Sequence, residues 1–252
     1  MRETLKQSKF HRILFGEFHR NLKISDFDIG IFFTVTFLSL FGVVMIASVT
    51  IPLTDGSLSM TFNHIVKLIL SIFIGLLIFR VSLSTWKKID IFLIIFSFFL
   101  LTLVFFPFIG FEANGASRWI RILGFSFQPS ELMKFSLIIY ISSYCFRRMT
   151  EFKEKWLGFW KPVLVVISAI ALVLVEPDLG SSAVIFLISL TIMFIAGAPL
   201  KQMLIIFFMG LSVFISMILL VPWRMNRILS FVDPWSNYGE SGYQLSQALI
   251  AF

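Results

Sequence analysis

The chain has 252 residues, of which 58% are hydrophobic and only 14% charged, and its mean hydropathy is +0.94. A soluble domain of that size needs far more charge to cover its surface, so a water-solvated globular fold is excluded and lipid is the main solvent. The net charge of +7 does not point to nucleic acid, because the basic residues fall between apolar runs and form no stripe or patch.

Residues 1–25 form a polar, basic lead, read as a cytoplasmic segment, and residues 26–252 read as one transmembrane domain. The first apolar run follows this long lead and has no small-residue cleavage site, so it is an anchor rather than a signal peptide. A helix needs about 20 apolar residues to cross the hydrocarbon core, at ~1.5 Å per residue. Seven runs qualify: Ile29–Ile51, Asn63–Val81, Ile89–Phe108, Pro129–Cys145, Val163–Glu176, Leu179–Ala198 and Met203–Val221. The fifth is short. Only Pro177 and Asp178 divide it from the sixth, which fits either a tight helical hairpin or a broken re-entrant element. The predicted fold is therefore all-α, a polytopic membrane bundle of about seven helices. Cys145 is the single cysteine, so no intrachain disulfide forms, and it reads as an inert thiol near a membrane face.

Fifteen of the 21 Lys and Arg residues lie in the lead or in the second, fourth and sixth connections. The opposite side holds Arg118, Arg121, Arg224 and Arg227, while Lys67 and Lys134 lie within apolar runs. That imbalance places the N-terminus in the cytoplasm. Two opposite-side segments, Phe108–Gln128 and Pro222 to the end, are long and between them collect Gly, Pro, Trp, Arg and Asp, as functional loops tend to. The chain stops at Phe252 within a segment and reads as C-terminally truncated.

Three stretches could carry chemistry. In the first, Asn114 and Gly115 suit a turn, Pro129 suits the first turn of a helix, and Glu131 is favourable there. Lys134 lies one turn further in, on the same face as Glu131. It is either a structural pair with Glu131 or, together with Arg118, a holder of an anionic ligand. In the second stretch, Glu176 to Ser182, Asp178 caps a helix and Glu176 has no structural role, which leaves a metal or base role open. In the third, Arg224 and Arg227 share a helical face, and Phe231, Trp235 and Tyr243 suit a membrane interface. Ser84–Lys87 fits a serine–lysine motif, but no SDN or KTG follows, so the match is accidental. Absence of GxxxxGK[ST] and HExxH removes a P-loop ATPase and a zincin.

The stretches GASRWIRILGFSFQPSELMK, EPDLGSSAVIFLISLTIMFIAG and RMNRILSFVDPWSNYGESGYQLSQALIAF resemble, in order and placement, three signatures of the SEDS family (shape, elongation, division and sporulation). The resemblance runs from about residue 25 onward and is stronger to the cell-division branch than to the elongation branch. It implies a ten-helix peptidoglycan glycosyltransferase of the bacterial inner membrane, polymerising lipid II at the division septum beside a class B penicillin-binding transpeptidase and other divisome proteins. Carried onto matching positions, Arg118, Gln128, Glu131 and Lys134 are first-loop polar residues, Asp178 is the PDLG aspartate and Asp233 belongs to the DPW stretch. The family's catalytic aspartate, in an HTD element, falls beyond Phe252, so the resemblance implies that these 252 residues alone do not polymerise.

Such a reaction needs a base and cations for the departing pyrophosphate. Arg118 and Lys134, helped by Arg224 or Arg227, are candidates for the cations, and Asp178 and Glu176 for cavity support or a divalent cation. No cofactor is assigned. A flippase for a lipid-linked precursor and a non-catalytic divisome scaffold are the alternatives. Charges gathered at the outer face, with no internal repeat, favour the enzyme over the flippase.

Overall fold

The computed structural model describes residues 28–53, 57–106, 110–113, 116–122, 125–235 and 242–251. The basic lead, residues 1–25, lies outside the described residues. Seven long helices answer to the seven apolar runs. They are α1 (Ile29–Leu53), α2 (Ser59–Phe79), α3 (Leu83–Leu103), α4 (Pro129–Arg147), α6 (Trp156–Val175), α7 (Leu179–Ile195) and α8 (Leu200–Leu219). Three short helices join them: α5 (Met149–Glu154), α9 (Pro222–Val232) and α10 (Tyr243–Ala251). By length and composition α1, α2, α6 and α8 can each cross a membrane, and α7 is a shorter apolar helix. In α3, Lys87, Lys88 and Asp90 crowd the first two turns, and α4 carries Glu131 and Lys134 near its start.

The chain divides into two compact units, Met1–Val81 and Ser82–Phe252. In the first, α1 packs on α2, and Thr50 Oγ1 lies 3.2 Å from Thr61 Oγ1, joining the end of one helix to the start of the other. Phe33, Phe37 and Phe41, spaced by one turn each, are exposed on α1. An apolar face of this kind marks a surface that meets lipid or protein rather than water.

In the second unit α4 is the hub, packed against α3, α5, α6 and α7. The core contains Ile94 and Leu101 of α3, Met133, Leu137 and Ile141 of α4, Val166 and Val173 of α6, and Ile185 and Met193 of α7. A buried hydrogen bond of 2.6 Å between Ser97 Oγ and Ser136 Oγ spans α3 and α4, with Ser136 also donating to Leu132 O within α4.

Helix α6 begins at Trp156, seven residues before the predicted Val163, and runs through Pro162. Proline has no N–H for the carbonyl four residues back, here Gly158. That carbonyl accepts instead from the Tyr144 hydroxyl at 2.8 Å, which removes the main penalty for carrying the helix across Pro162. Gly158 also lies so close to Glu151 O that any Cβ there would collide with it. Between α6 and α7 only Glu176–Asp178 intervene, and the two helices pack against each other.

The segment predicted as a long loop, Phe108–Gln128, instead carries a three-stranded antiparallel sheet of order β1–β2–β3. Its strands are β1 (Gly110–Ala113), β2 (Ala116–Ile122) and β3 (Phe125–Phe127). Residues 114–115, the predicted turn, lie outside the described residues, and Ala113 pairs with Ala116 on either side of them. An Asn-Gly pair flanked by strand formers is a strong hairpin signal, outweighed at the sequence level by the segment's length and its glycines. Ile120 of β2 is buried, and β2 packs on α4.

Candidate functional site

Three of the predicted site residues converge where β2, the start of α4 and the α6–α7 turn meet. Arg118, half-buried on β2, donates from Nε to Glu176 O at 3.0 Å and from Nη2 to Pro177 O. Carbonyls beyond the last helical turn have no intrahelical donor. Arg118 therefore closes the end of α6 and ties the sheet to the hairpin.

Gln128 stands at the N-cap of α4, followed by Pro129 at the first helical position. Its Nε2 donates to Asp178 Oδ2 at 3.0 Å. Asp178 is the N-cap of α7, as predicted, and its Oδ1 accepts from Ser181 N at 2.9 Å. The Ser181 hydroxyl donates to Oδ2 at 2.8 Å, and Ser182 Oγ donates to the Asp178 carbonyl at 2.8 Å. Each carboxylate oxygen is thus engaged, and Asp178 is only 7% exposed. The part of Ser181 was not drawn from the sequence. The spacing of an acidic cap and a Ser three residues on was the available signal.

Glu176 follows the last residue of the α6 span and is 1% exposed, with neither carboxyl oxygen hydrogen-bonded. Burial pushes its carboxyl up to about 8, with Asp178 adding to the rise and Arg118 opposing it. The acid that had no structural role in the sequence is the most perturbed group of the site.

Glu131 and Lys134 lie on the first turns of α4, and Lys134 Nζ reaches Glu131 Oε1 at 2.6 Å. Lys134 is largely covered while Glu131 is exposed, so the pair exists but its acid half stays in solvent, where an ion pair contributes about 0–1 kcal/mol. Among the described residues no group of three or more His, Cys, Asp and Glu side chains comes together. With the Asp178 oxygens taken by Ser181 and Gln128, the donor set does not fit a divalent cation.

The third stretch is built separately, with α9 packed on α8. Arg224 is buried, donates from Nη1 to Met217 O at 3.0 Å, and stacks over the Trp223 ring at 5.1 Å. Exposed Arg227 donates to Gln244 Oε1 at 3.2 Å, joining α9 to α10. Asp233 ends α9, and its Oδ1 accepts from Trp235 N at 3.1 Å. Phe231, Trp235 and Tyr243 are exposed.

Residues 29–252 match the family model for the cell cycle proteins FtsW, RodA and SpoVE. The chain belongs to the FtsW/RodA/SpoVE family. Two relatives, each named a probable peptidoglycan glycosyltransferase FtsW, illustrate the match. That of Aliivibrio salmonicida is 37% identical over 230 residues, 90% of this chain and 57% of the relative. That of Saccharophagus degradans is 39% identical over 229 residues, 89% of this chain and 59% of the relative. The chain thus spans under three-fifths of the length of these curated relatives. Among solved structures, a chain of a peptidoglycan synthase complex is similar at TM-score 0.70 and 26% identity, covering 89% of this chain and 65% of that one. RodA of Thermus thermophilus has TM-score 0.63 at 24% identity, over 76% of this chain and 60% of RodA, a likeness of fold. As a member of the FtsW/RodA/SpoVE family with this helical architecture, the chain is a multi-pass membrane protein.

Proposed function

We propose that this chain forms the substrate-holding part of a septal peptidoglycan glycosyltransferase that polymerises lipid II in the bacterial inner membrane. The observation that carries the reading is a rim, built by stretches shared with the family, where Arg118, Gln128 and Asp178 lock the sheet to two helix starts, with Lys134 less than two turns along α4. In the reaction a sugar 4-hydroxyl attacks the anomeric carbon of a second lipid II. The new C–O bond forms as the bond to undecaprenyl pyrophosphate breaks, the hydroxyl proton passes to a base, and the pyrophosphate leaves with the bonding electrons. Lys134 and the outer edge of the Arg118 guanidinium serve the pyrophosphate, since ammonium and guanidinium groups suit phosphate oxygens. The base is assigned to no residue of this sequence. Orientation follows the basic residues, with residues 1–25 in the cytoplasm and the rim at the outer face, and a class B penicillin-binding transpeptidase is the proposed partner.

The test is binding of lipid II to the purified chain in detergent, measured by native mass spectrometry. Lys134→Ala is expected to weaken binding at least tenfold while the thermal midpoint moves by less than about 3 °C. A midpoint that collapses with affinity retained would return Lys134 to a purely structural pair. Transfer of lipid II between liposome leaflets by this chain would favour a flippase, and no binding at all would leave a divisome scaffold.

A further inference from the structure

A cavity of about 570 Å³ opens in the second unit between α3, α4 and α6, lined by Ile91, Tyr140, Tyr144, Arg147, Arg148 and Lys161. It lies at the far end of α4 from Gln128, roughly 25 Å away along a helix of this length, and shares no residue with the rim. Three of its six lining residues are cations. Arg147 is held by buried Asp90 at 2.7 Å, and Arg148 by Glu151 at 3.0 Å in an exposed pair. No ion pair among the described residues engages Lys161. Glu151 carries the balancing charge nearby, and its carboxyl is held below the usual range by its bond from Arg148, with Lys161 and Lys155 acting the same way. Lys153 and Lys155 leave this end of the unit with an excess of positive charge.

Depth is given by a separate feature. Trp156 and Trp160, 5.5 Å apart, sit in the first turns of α6 immediately before Lys161. Tryptophans collected at one end of membrane helices mark the headgroup level. The cavity therefore combines cations at headgroup depth with an apolar wall of Ile91 and the two tyrosine rings.

We propose that this cavity binds the phosphodiester headgroup of an anionic phospholipid from the leaflet facing the basic connections. Arg148 and Lys161 meet the phosphate, and Ile91 and the Tyr140 ring receive the first carbons of the acyl chains. Basic pockets between membrane helices on the cytoplasmic side recognise lipid headgroups in this way. An exposed Arg148–Glu151 pair is weak enough for a phosphate to displace, whereas the Asp90-bound Arg147 stays in place as a fixed wall.

The test titrates the whole chain, purified in detergent, with short-chain phosphatidylglycerol, short-chain phosphatidylcholine and inorganic phosphate, counting bound ligand by native mass spectrometry. Phosphatidylglycerol is expected to bind at least tenfold more tightly than either of the others. Combined R148Q and K161Q substitutions are expected to reduce that binding by about tenfold or more. K201Q, at an exposed position outside the cavity, is expected to leave it unchanged. If the double variant loses thermal stability, K161Q alone gives the reading, with a smaller loss expected. Equal binding of phosphatidylcholine, unchanged phosphatidylglycerol binding in the variants, or inorganic phosphate binding as tightly as the lipid would each overturn the proposal.

Discussion

Both carboxyl oxygens of Glu176 are buried without a hydrogen-bond partner, and burial holds the group's pKa at about 8. A neutral carboxylic acid tolerates such a place far better than a carboxylate. The folded state therefore binds the proton more tightly than the unfolded chain, where the group titrates near 4.3. The stabilising contribution is complete below that value and is lost as pH rises through about 8. Thermal midpoints in detergent are expected to fall by several degrees between pH 5 and pH 9. Glu176→Gln, which keeps the shape and cannot ionise, should flatten this slope and melt above the native protein at pH 9. A slope that persists in the variant would place the titrating group elsewhere. The order of residues singled Glu176 out as an acid that helix punctuation does not explain, but it did not announce the raised pKa. Its perturbation comes from the sheet and α4 closing over the turn.

At the scale of elements, the continuation of α6 through Pro162 depends on a single hydroxyl. Tyr144→Phe leaves the Gly158 carbonyl with no donor in a buried place, an expected loss of about 1–2 kcal/mol. Chemical denaturation in mixed micelles is the measurement. A variant as stable as the native chain would mean that water reaches that carbonyl. The seven helices were legible from apolar runs, and Asp178 as a cap from its place before Leu179. The start of α6 was not, since the compensating hydroxyl comes from α4, and contact between distant segments has no local signature. The sheet was half legible: Asn114–Gly115 suggested a turn, but the alternation in β2 is blurred by Ile120 falling on the same side as Arg118. Among the site residues, Arg118, Gln128 and Asp178 meet as a group, whereas Arg224 and Arg227 turn to Met217 and Gln244 of their own neighbourhood.

For the whole molecule, the sidedness of charge can be measured with the help of Cys145. That thiol is buried, at 6% exposure, so it should stay silent towards a membrane-impermeant maleimide. Lys153→Cys, at an exposed position of α5, is expected to react only from the cytosolic side, and Ser126→Cys, exposed on β3, only from the outside. The reverse pattern would invert the orientation and remove lipid II access from the rim. Composition and the spacing of Lys and Arg made the membrane class plain, because burying apolar surface in lipid is a property of whole segments. Which polar groups meet at the ends of those segments depends on tertiary packing.

The Gln128–Asp178 hydrogen bond has a consequence for the electrostatics of that rim. It brings the starts of α4 and α7 together, and each helix start carries roughly half a positive elementary charge from its aligned peptide dipoles. Asp178, a covered acid with no cation bonded to it, is offset by backbone and amide donors that do not titrate. The largely covered ammonium of Lys134, ion-paired among the described residues with the exposed Glu131, is therefore not consumed in neutralising the interior. Under the proposed function it is then left to meet the pyrophosphate.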